Sequence, residues 1–317
     1  MALNNAVTSA RIPIANAPCS WGVDDPKNPH LPPYEKVLSE ASQAGYRSIE
    51  LGPWGYLPTD PSTLNQALDR YDLSLVAGTI FDDLVSEAYF PTIRTLAHNI
   101  CRHLSQAPTA PALPGGSAPP PYLVIIDFGN PERARLAGQH AKAPRLPAEA
   151  WQRMMHHITE ISQIAAEEYG VRPVIHPHAG GCIEFSDEIE QLVDAIPAAT
   201  AGLCLDTGHL YYSGMDPLTW LERYFNRIDY IHFKDVDATR LRSVLSREVD
   251  FFSACAEGVM CPIGKGAIDY PAIHQFLTER QYRGWITLEQ ERDPRDADGS
   301  LRDVTESLRY LESIGFN

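Results

Sequence analysis

Short apolar runs alternate along the chain with longer amphipathic segments. Eight runs have the apolar, often β-branched composition of buried strands: Ile12–Ala17, Ser48–Leu51, Ser74–Gly78, Tyr122–Asp127, Val171–His176, Ala201–Asp206, Tyr230–Lys234 and Trp285–Glu289. The segments between them are predicted as helices: Tyr34–Ala44, Thr63–Tyr71 (with Ser62 as its N-cap), Pro91–Leu104, Pro147–Tyr169, Ser186–Ala195, Pro217–Phe225, Tyr270–Arg280 and Ser300–Ile314. Strands that alternate with helices predict a parallel sheet, and eight such units predict a closed (β/α)₈, or TIM, barrel.

An open, doubly wound sheet is the structural alternative. It is disfavoured because no GxGxxG motif follows the first strand. We therefore expect residues 1–317 to form a single barrel domain. Two stretches interrupt the alternation: residues 107–121 are rich in Pro, Ala and Gly and predict a surface loop, and residues 235–268 form a long connection after the seventh strand. Active sites of barrels lie on that side, so the second stretch is expected to cover the site.

Composition restricts the partners of the chain. The formal net charge of −15 disfavours binding to nucleic acid and to anionic membrane surfaces. No run approaches the length of a membrane span, and the N-terminus lacks the apolar core of a signal peptide. The six cysteines are scattered without a CxxC pair, as is typical of buried thiols in a reducing compartment. A cytoplasmic protein is expected, and a homo-oligomer is compatible with the sequence.

Histidines and carboxylates stand at the ends of the last four predicted strands. They are His176 and His178 on the fifth strand, Asp206 and His209 on or just after the sixth, His232 and Lys234 on the seventh, and Glu289 and Glu291 on the eighth. One such residue is weak evidence, because a lone buried histidine or aspartate is more often structural. Four neighbouring strand ends that all carry such groups are hard to explain by structure, since buried like charges repel unless a cation lies among them. The pattern indicates a divalent metal site, with Mn²⁺, Co²⁺, Mg²⁺, Fe²⁺ and Zn²⁺ all compatible with the ligand types.

The chain resembles the xylose-isomerase-like barrels, a superfamily of sugar isomerases, epimerases and dehydratases. The resemblance covers nearly the whole sequence. It is carried by segments 44–51 (AGYRSIEL), 206–209 (DTGH), 232–235 (HFKD), 264–269 (GKGAID) and 282–286 (YRGWI), which leads into Glu289. The His176-Pro177-His178 segment followed by 206–209 is most similar to the inosose dehydratase family, whose substrate is 2-keto-myo-inositol.

The resemblance implies one metal ion, with Mn²⁺ or Co²⁺ favoured. The implied ligands are a residue ending the fifth strand, Asp206, His232 and Glu289. Many relatives have a glutamate in the first position, and in many isomerases and epimerases it also acts as a base. Here that position is His176, or His178 if the strand is shifted. The departure favours a dehydratase over a two-glutamate epimerase.

Further residues are candidates for contact with substrate, each with a structural alternative. His209 could contact substrate or metal. Lys234 could polarise a carbonyl, or form an ion pair with Glu50 or Asp206. Glu50, Trp21, Trp54 and His178 are expected to bind substrate hydroxyls or face the ring, although Glu50 could instead brace Lys234 and the tryptophans could be packing residues. Lys234, His209 and Glu289 are the candidate catalytic residues.

Acids and histidines elsewhere in the chain are further candidates, each with a structural alternative. Glu184 could be a base if its loop folds back, but a loop or helix-start acid is favoured. Asp82 and Asp83 could contact substrate or cap a turn. The His156-His157 pair lies within a predicted helix and is expected on the surface, and Gly264-Lys265-Gly266 is expected to form a turn.

The predicted reaction begins with removal of a proton next to a carbonyl of a sugar or cyclitol. The metal stabilises the resulting enediolate, from which loss of a β-hydroxyl gives dehydration and reprotonation gives isomerisation or epimerisation. Dehydration is favoured because only one free carboxylate base is apparent. A metal-dependent hydrolase of the endonuclease type and a non-catalytic sugar-binding barrel are alternatives. The acidic surface disfavours the endonuclease.

Overall fold

The computed structural model describes residues 12–108 and 119–316 of the chain. Within these residues, ten strands are described: β1 (Ile14–Asn16), β2 (Ser48–Glu50), β3 (Ser74–Asp82), β4 (Tyr122–Asp127), β5 (Arg172–Ile175), β6 (Gly202–Asp206), β7 (Ile228–Phe233), β8 (Asp235–Val236), β9 (Met260–Cys261) and β10 (Trp285–Leu288). Eight of them are parallel and close into a barrel, in the order β1-β10-β7-β6-β5-β4-β3-β2. The short strands β8 and β9 pair antiparallel outside the barrel. The predicted (β/α)₈ architecture is confirmed.

Helices cover the outside of the barrel. The twelve α-helices within the described residues are α1 (Tyr34–Ala44), α2 (Pro61–Arg70), α3 (Phe90–Gln106), α4 (Pro131–Arg135), α5 (Ala148–Gln163), α6 (Ser186–Ala195), α7 (Thr207–Tyr212), α8 (Pro217–Tyr224), α9 (Ala238–Ser246), α10 (Phe251–Ala256), α11 (Tyr270–Glu279) and α12 (Ser300–Ser313). Their apolar faces form one continuous core with the outer face of the strands.

The start of α2 differs from the prediction. The helix begins at Pro61 and is capped by Asp60, whose Oδ2 accepts a hydrogen bond of 2.8 Å from the backbone N–H of Thr63. The predicted cap, Ser62, lies within the first turn. A proline at the first helical position has no N–H to satisfy, so the carboxylate before it caps the next free donors.

Three of the strands that lead to the site end one residue earlier than predicted, whereas β6 ends at Asp206 as predicted. Strands β5, β7 and β10 end at Ile175, Phe233 and Leu288. The first residue after each strand is therefore His176, Lys234 or Glu289, which places these side chains on the rim at the C-terminal end of the barrel. Strand β3 is longer than predicted, because it continues to Asp82 in register with Asp127 of β4.

The lower part of the barrel interior is packed. Apolar and aromatic side chains from seven of the eight barrel strands form a separate cluster there, and the rings of Tyr122 and Tyr230 stack with centroids 4.6 Å apart. A filled interior leaves room for a ligand only at the rim above it.

The connection from β7 to α11 is ordered. It contains β8, α9, α10 and β9. The Asp235 carboxylate accepts four backbone N–H bonds, from Val236, Gly264, Gly266 and Ile268, at 2.9 to 3.2 Å. A Cβ atom on Gly266 would lie 2.1 Å from Asp235 Oδ1, so this turn requires glycine. The Gly-Lys-Gly segment thus shapes a turn held by Asp235.

Two further expectations concern surface segments. Most of the predicted loop at residues 107–121 lies outside the described residues, namely residues 109–118. Among the described helices, none combines the length and the apolar character that crossing a membrane requires.

Candidate active site

A cavity of about 1160 Å³ opens at the C-terminal end of the barrel. Its floor is polar and its outer wall is largely aromatic. The floor includes Glu50, His176, His178, His209, His232, Lys234, Glu289 and Glu291, and the wall includes Trp54, Phe81, Tyr89, Phe128 and Phe252. The location is the one expected for the active site of a barrel.

Four side chains from adjacent strand ends meet at the floor. His176, Asp206, His232 and Glu289 each offer a ligand atom, and these atoms all lie within 4.8 Å of one another. All four residues are at most 8% exposed. Asp206 ends β6 and caps α7 by accepting the backbone N–H of His209 at 2.9 Å, which fixes one carboxylate oxygen and leaves the other facing the cluster.

The ring of His232 is held in one orientation by a buried glutamate. Its Nε2 donates a hydrogen bond of 2.9 Å to Oε1 of Glu50, which also accepts a bond of 2.5 Å from the Tyr230 hydroxyl. The ring proton of neutral His232 therefore lies on Nε2, and Nδ1 carries a lone pair. Nδ1 lies 3.0 Å from Glu289 Oε2 and 3.8 Å from Asp206 Oδ2, yet it has no hydrogen-bond partner in the described chain.

This arrangement fits a cation. Three electron-pair donors, on His232, Asp206 and Glu289, face one another in a buried space. His176 adds a fourth donor, because its Nε2 lies 3.6 Å from Asp206 Oδ2. A ligating histidine whose other nitrogen donates to a carboxylate is the usual arrangement in metal sites. The donor set of two imidazoles and two carboxylates suits a divalent transition metal.

Lys234 already brings one positive charge to these carboxylates. Its Nζ lies 2.6 Å from Asp206 Oδ2 and 3.0 Å from Glu291 Oε1, and it also contacts Glu289. Burial raises the pKa of Asp206 and of Glu289, but Lys234 and the nearby histidines outweigh burial and hold both pKa values well below the usual range. Of the two ion-pair partners considered from sequence, Asp206 is the one that Lys234 contacts, whereas Glu50 pairs with His232.

A second polar group adjoins the first. The rings of His178 and His209 lie 3.9 Å apart between centroids, and His209 Nε2 lies 3.8 Å from Glu291 Oε1. Burial, reinforced by the charge of Glu289, raises the pKa of Glu291 to about 7 against the opposing charge of Lys234. His178 is flanked by the rings of Phe81 and Phe251, each 5.0 Å away. His178 is thus placed outside the four-residue cluster, while His176 is within it.

Of the two tryptophans considered for the cavity wall, only Trp54 lines the cavity. Trp21 is fully buried elsewhere, and its Nε1 donates a 2.7 Å hydrogen bond to Glu40 of α1. The expectation that Trp21 contacts substrate is corrected. The chain after β1 forms a 3₁₀ turn over Pro18–Trp21, which directs Cys19 toward the cavity and the indole toward α1.

Glu184 occupies a structural position. Its carboxylate accepts hydrogen bonds from the backbone N–H groups of Gly138 and Gly180, at 2.6 and 2.9 Å, and from Ser213 at 2.9 Å. It is buried and does not line the cavity. Burial raises the pKa of Glu184 to about 7. The residue ties the loop after β5 to its neighbours, as the structural alternative expected.

The remaining expectations divide between cavity and packing. Asp82 lines the cavity, whereas Asp83 caps a turn by accepting the backbone N–H groups of Val85 and Ser86 at 3.0 Å. The surface prediction holds for His156 but is wrong for His157, which is 1% exposed, bonds to the Leu84 carbonyl at 2.8 Å and stacks on a phenylalanine. Neighbouring helix positions face different directions, so one residue of the pair lies inward.

Sequence reasoning missed much of the aromatic wall. Phe81 belongs to the unpredicted extension of β3, Phe128 follows β4, and Phe252 comes from α10 in the connection after β7. Phe128 and Phe252 are 43% and 41% exposed, which is unusual for phenylalanine. Their one sequence signal is their position just after strands or within the covering connection.

Comparison with known proteins agrees with this fold. A sequence profile of xylose isomerase-like TIM barrels matches residues 118–314. The rhizopine catabolism protein MocC of Rhizobium meliloti is 32% identical over 90% of this chain and 83% of its own length. An inosose dehydratase of Geobacillus kaustophilus is 31% identical over 89% of this chain and 88% of its own length.

Solved structures give the same architecture at lower identity. The probable 3-DHS dehydratase AsbF from Bacillus anthracis superposes with a TM-score of 0.68 at 15% identity, covering 95% of this chain and 99% of its own. The IOLI protein with a bound zinc atom superposes with a TM-score of 0.65 at 16% identity, covering 96% of this chain and 99% of its own.

Proposed function

Because the chain belongs to the xylose isomerase-like TIM barrel family, we propose that it is a metal-dependent enzyme that dehydrates a cyclitol ketone of the inosose type. The observation that carries the proposal is the buried cluster of His176, Asp206, His232 and Glu289, in which His232 Nδ1 faces two carboxylates and has no hydrogen-bond partner among the described residues.

These four residues would hold the ion. A divalent ion bound there supplies a Lewis acid that stabilises negative charge on a substrate oxygen. Glu50 supports the site by keeping His232 in the tautomer that a ligand requires. The zinc atom in the IOLI protein supports a metal on this fold, while the donor set of this chain also accommodates Mn²⁺ or Co²⁺.

The charge of the cavity supports an uncharged substrate. The lining includes six carboxylates, those of Asp24, Asp25, Glu50, Asp82, Glu289 and Glu291, and two cationic side chains, Lys27 and Lys234. Lys234 is already paired with three carboxylates. A phosphate or carboxylate group on the substrate would meet a lining in which carboxylates outnumber cationic side chains. The aromatic wall suits the C–H face of a polyol ring.

Dehydration is preferred over epimerisation for two reasons. First, the position after β5 is occupied by His176, where the resemblance implies a glutamate base in many epimerases. A two-base epimerisation needs a proton acceptor on each face of the carbon, whereas elimination can use one. Second, the inosose dehydratase of Geobacillus kaustophilus matches along most of both chains. Epimerisation of a ketose at the same site is the second candidate, because both reactions share the first proton removal.

The decisive experiment follows proton exchange and elimination separately. Protein loaded with Mn²⁺ or Co²⁺ is incubated in D₂O with 2-keto-myo-inositol and, in parallel, with a panel of ketohexoses. We expect deuterium at the α-carbon of the cyclitol ketone together with the ultraviolet absorbance of a conjugated enone. Chelator-stripped protein is the control and should show neither. Epimerised ketohexose without enone from any cyclitol ketone would replace the dehydratase by an epimerase, and absence of exchange in every substrate would contradict both.

A further inference from the structure

The backbone of Ala179 contacts two histidines of the cavity, one through its N–H and the other through its carbonyl. Its backbone N–H donates to Nδ1 of His209 at 3.1 Å. Its carbonyl oxygen lies 2.9 Å from Nδ1 of His178. All three residues are buried, with at most 7% exposure. One residue of the backbone therefore contacts both rings with groups whose donor and acceptor roles are fixed.

These contacts determine the tautomer of each ring. A backbone N–H can only donate, so His209 Nδ1 accepts and the proton of the neutral ring lies on Nε2. A carbonyl can only accept, so His178 Nδ1 carries a proton and its Nε2 is left with a lone pair. His209 Nε2 is buried without a hydrogen-bond partner among the described residues, and Glu291 Oε2 has none either.

We infer that Ala179 fixes His178 and His209 in opposite tautomers, so that His178 offers the substrate a proton-accepting Nε2 and His209 offers it an N–H donor. The inference rests on the proposed function, which supplies a substrate with a carbonyl and neighbouring hydroxyls. Ala179 is a positioning residue in this scheme, and the two histidines are the groups that touch substrate.

The same contacts exclude a second metal ion from this part of the cavity. His178, His209 and Glu291 have ligand atoms within 4.8 Å of one another and resemble a ligand set. However, Nδ1 of His209 is engaged by the Ala179 N–H, and its Nε2 carries the ring proton. Binding an ion at Nε2 would require a doubly deprotonated ring. Only His178 and Glu291 would remain, too few for a stable site.

The assignment gives His178 a defined part in elimination. As the α-C–H bond breaks, its proton forms an N–H bond with His178 Nε2, and the electron pair becomes the C=C bond of the enolate while the carbonyl π pair moves to oxygen. The carbonyl then re-forms and a new C=C bond expels the β-hydroxyl. The proton leaves His178 for that oxygen, which departs as water, so His178 returns to neutral. His209 stays neutral and donates its N–H to a substrate oxygen throughout.

The apolar setting of His178 favours the neutral ring over the imidazolium. Phe81, Phe251 and Phe252 surround its ring, with centroids 5.0, 5.0 and 6.2 Å away. These rings hold the imidazole in place at the floor of the cavity. Phe251 also packs on His209, with centroids 4.8 Å apart, and keeps the two imidazoles together.

The direct test is the tautomeric state of each ring in the full chain. Histidine-labelled protein loaded with Zn²⁺, which is diamagnetic, is examined by two-bond ¹H–¹⁵N correlation, with His178→Gln and His209→Gln spectra used for assignment. We expect the Nδ1–H form for His178 and the Nε2–H form for His209. The same tautomer in both rings, or a metal-shifted nitrogen in His209, would overturn the inference. Elemental analysis after dialysis should give one ion per chain, and two would likewise overturn it.

Activity of paired variants supplies a second readout. Glutamine places an N–H donor near the position of histidine Nε2, so His209→Gln should keep α-proton exchange within about 10-fold, whereas His209→Leu should lose about 10²-fold. His178→Gln should lose about 10²-fold or more in kcat with little change in KM, because it removes the acceptor but not the shape. All should keep one ion, and His156→Gln, on the exposed face of α5, is the control.

The two hypotheses can fail separately. If wild-type protein shows neither exchange nor elimination with any cyclitol ketone, the proposed function fails, but the spectra and ion count still decide the tautomers. If exchange occurs and His178→Gln retains it, the assignment of the acceptor fails while the proposed function stands.

Discussion

The two halves of the cavity rim differ in what they present to a ligand. The ion side consists of His176, Asp206, His232 and Glu289, at the ends of β5, β6, β7 and β10. The aromatic side consists of Trp54, Phe81 and Phe128, on or after β2, β3 and β4. Side chains on the ion side are buried and held by ion pairs or hydrogen bonds, whereas Phe128 is 43% exposed.

On the proposed function, the ion side performs the reaction and the aromatic side selects the substrate. Groups that handle charge lie deep, where a low dielectric strengthens their interactions and neighbours fix their positions. Groups that would contact the substrate ring lie near the opening, where substituting a side chain has little effect on the stability of the fold. We therefore expect changes on the ion side to affect turnover and ion content, and changes on the aromatic side to affect KM.

The largest effect is expected for Glu289→Gln. Loss of this carboxylate removes a proposed ligand and leaves His232 Nδ1 without a negative neighbour at 3.0 Å. The ion content, measured by elemental analysis, should fall below about 0.1 ions per chain, and turnover should fall by about 10³-fold or more. Asp82→Asn, an acid on the aromatic side, is the matched control and should keep the ion. Retention of full ion content by Glu289→Gln would place the ion elsewhere.

Lys234→Met should show a smaller effect of a different kind. The ammonium contacts three carboxylates. After its loss, only the bound ion would offset the repulsion among these carboxylates. Turnover should fall by about 10²-fold with the ion retained. Stripping the ion should lower the thermal unfolding temperature of this variant more than that of wild type. Equal shifts in both proteins would mean that Lys234 does not share the charge-balancing role of the ion.

Phe252→Ala tests the aromatic wall. Loss of a ring that contacts the face of the substrate should raise KM by about 10-fold, which corresponds to about 1.4 kcal/mol, and should change kcat by less than about 3-fold. Steady-state kinetics with saturating metal measure both. Tyr224→Ala, on α8 outside the cavity, is the control for general loss of packing. A fall in kcat without a change in KM would assign Phe252 to the reacting side.

Glu184→Gln should have the smallest effect on turnover, within about 3-fold, because the residue does not line the cavity. Its effect is on stability. The folded pKa of about 7 exceeds the ordinary value of 4.5, so the folded state binds this proton more tightly than the unfolded state. The stabilisation is present below pH 4.5 and is lost as pH rises toward 7. Denaturant unfolding should show that the free energy of unfolding falls less steeply with rising pH in the variant than in wild type. Abolished exchange in a folded variant would restore Glu184 as a base.

The sequence predicted the ion side better than the aromatic side. Strand ends of a parallel barrel converge on one rim, so His176, Asp206, His232 and Glu289 could be grouped before their distances were known. The alternation of side chains along a strand predicts their direction only as far as the last paired residue. Trp21 lies beyond that point, in a 3₁₀ turn, so it packs against α1 and does not reach the cavity, contrary to the prediction.

The remaining features depend on contacts between distant segments. Phe252 reaches the cavity from a helix in the connection after β7, and no local pattern encodes that approach. The pairing of Glu50 with His232 joins residues 182 positions apart. The tautomers of His178 and His209 follow from the backbone N–H and carbonyl of Ala179, whose contact with both rings only the fold reveals.

The position of the ion is the most direct test of the account. Crystals of the full chain grown with Mn²⁺ or Co²⁺ should be measured at the absorption edge of the metal. The account predicts one anomalous peak per chain, bounded by His176, Asp206, His232 and Glu289 at about 2.0–2.2 Å. A peak at His178, His209 and Glu291, or no peak with Lys234 still between Asp206 and Glu289, would contradict it.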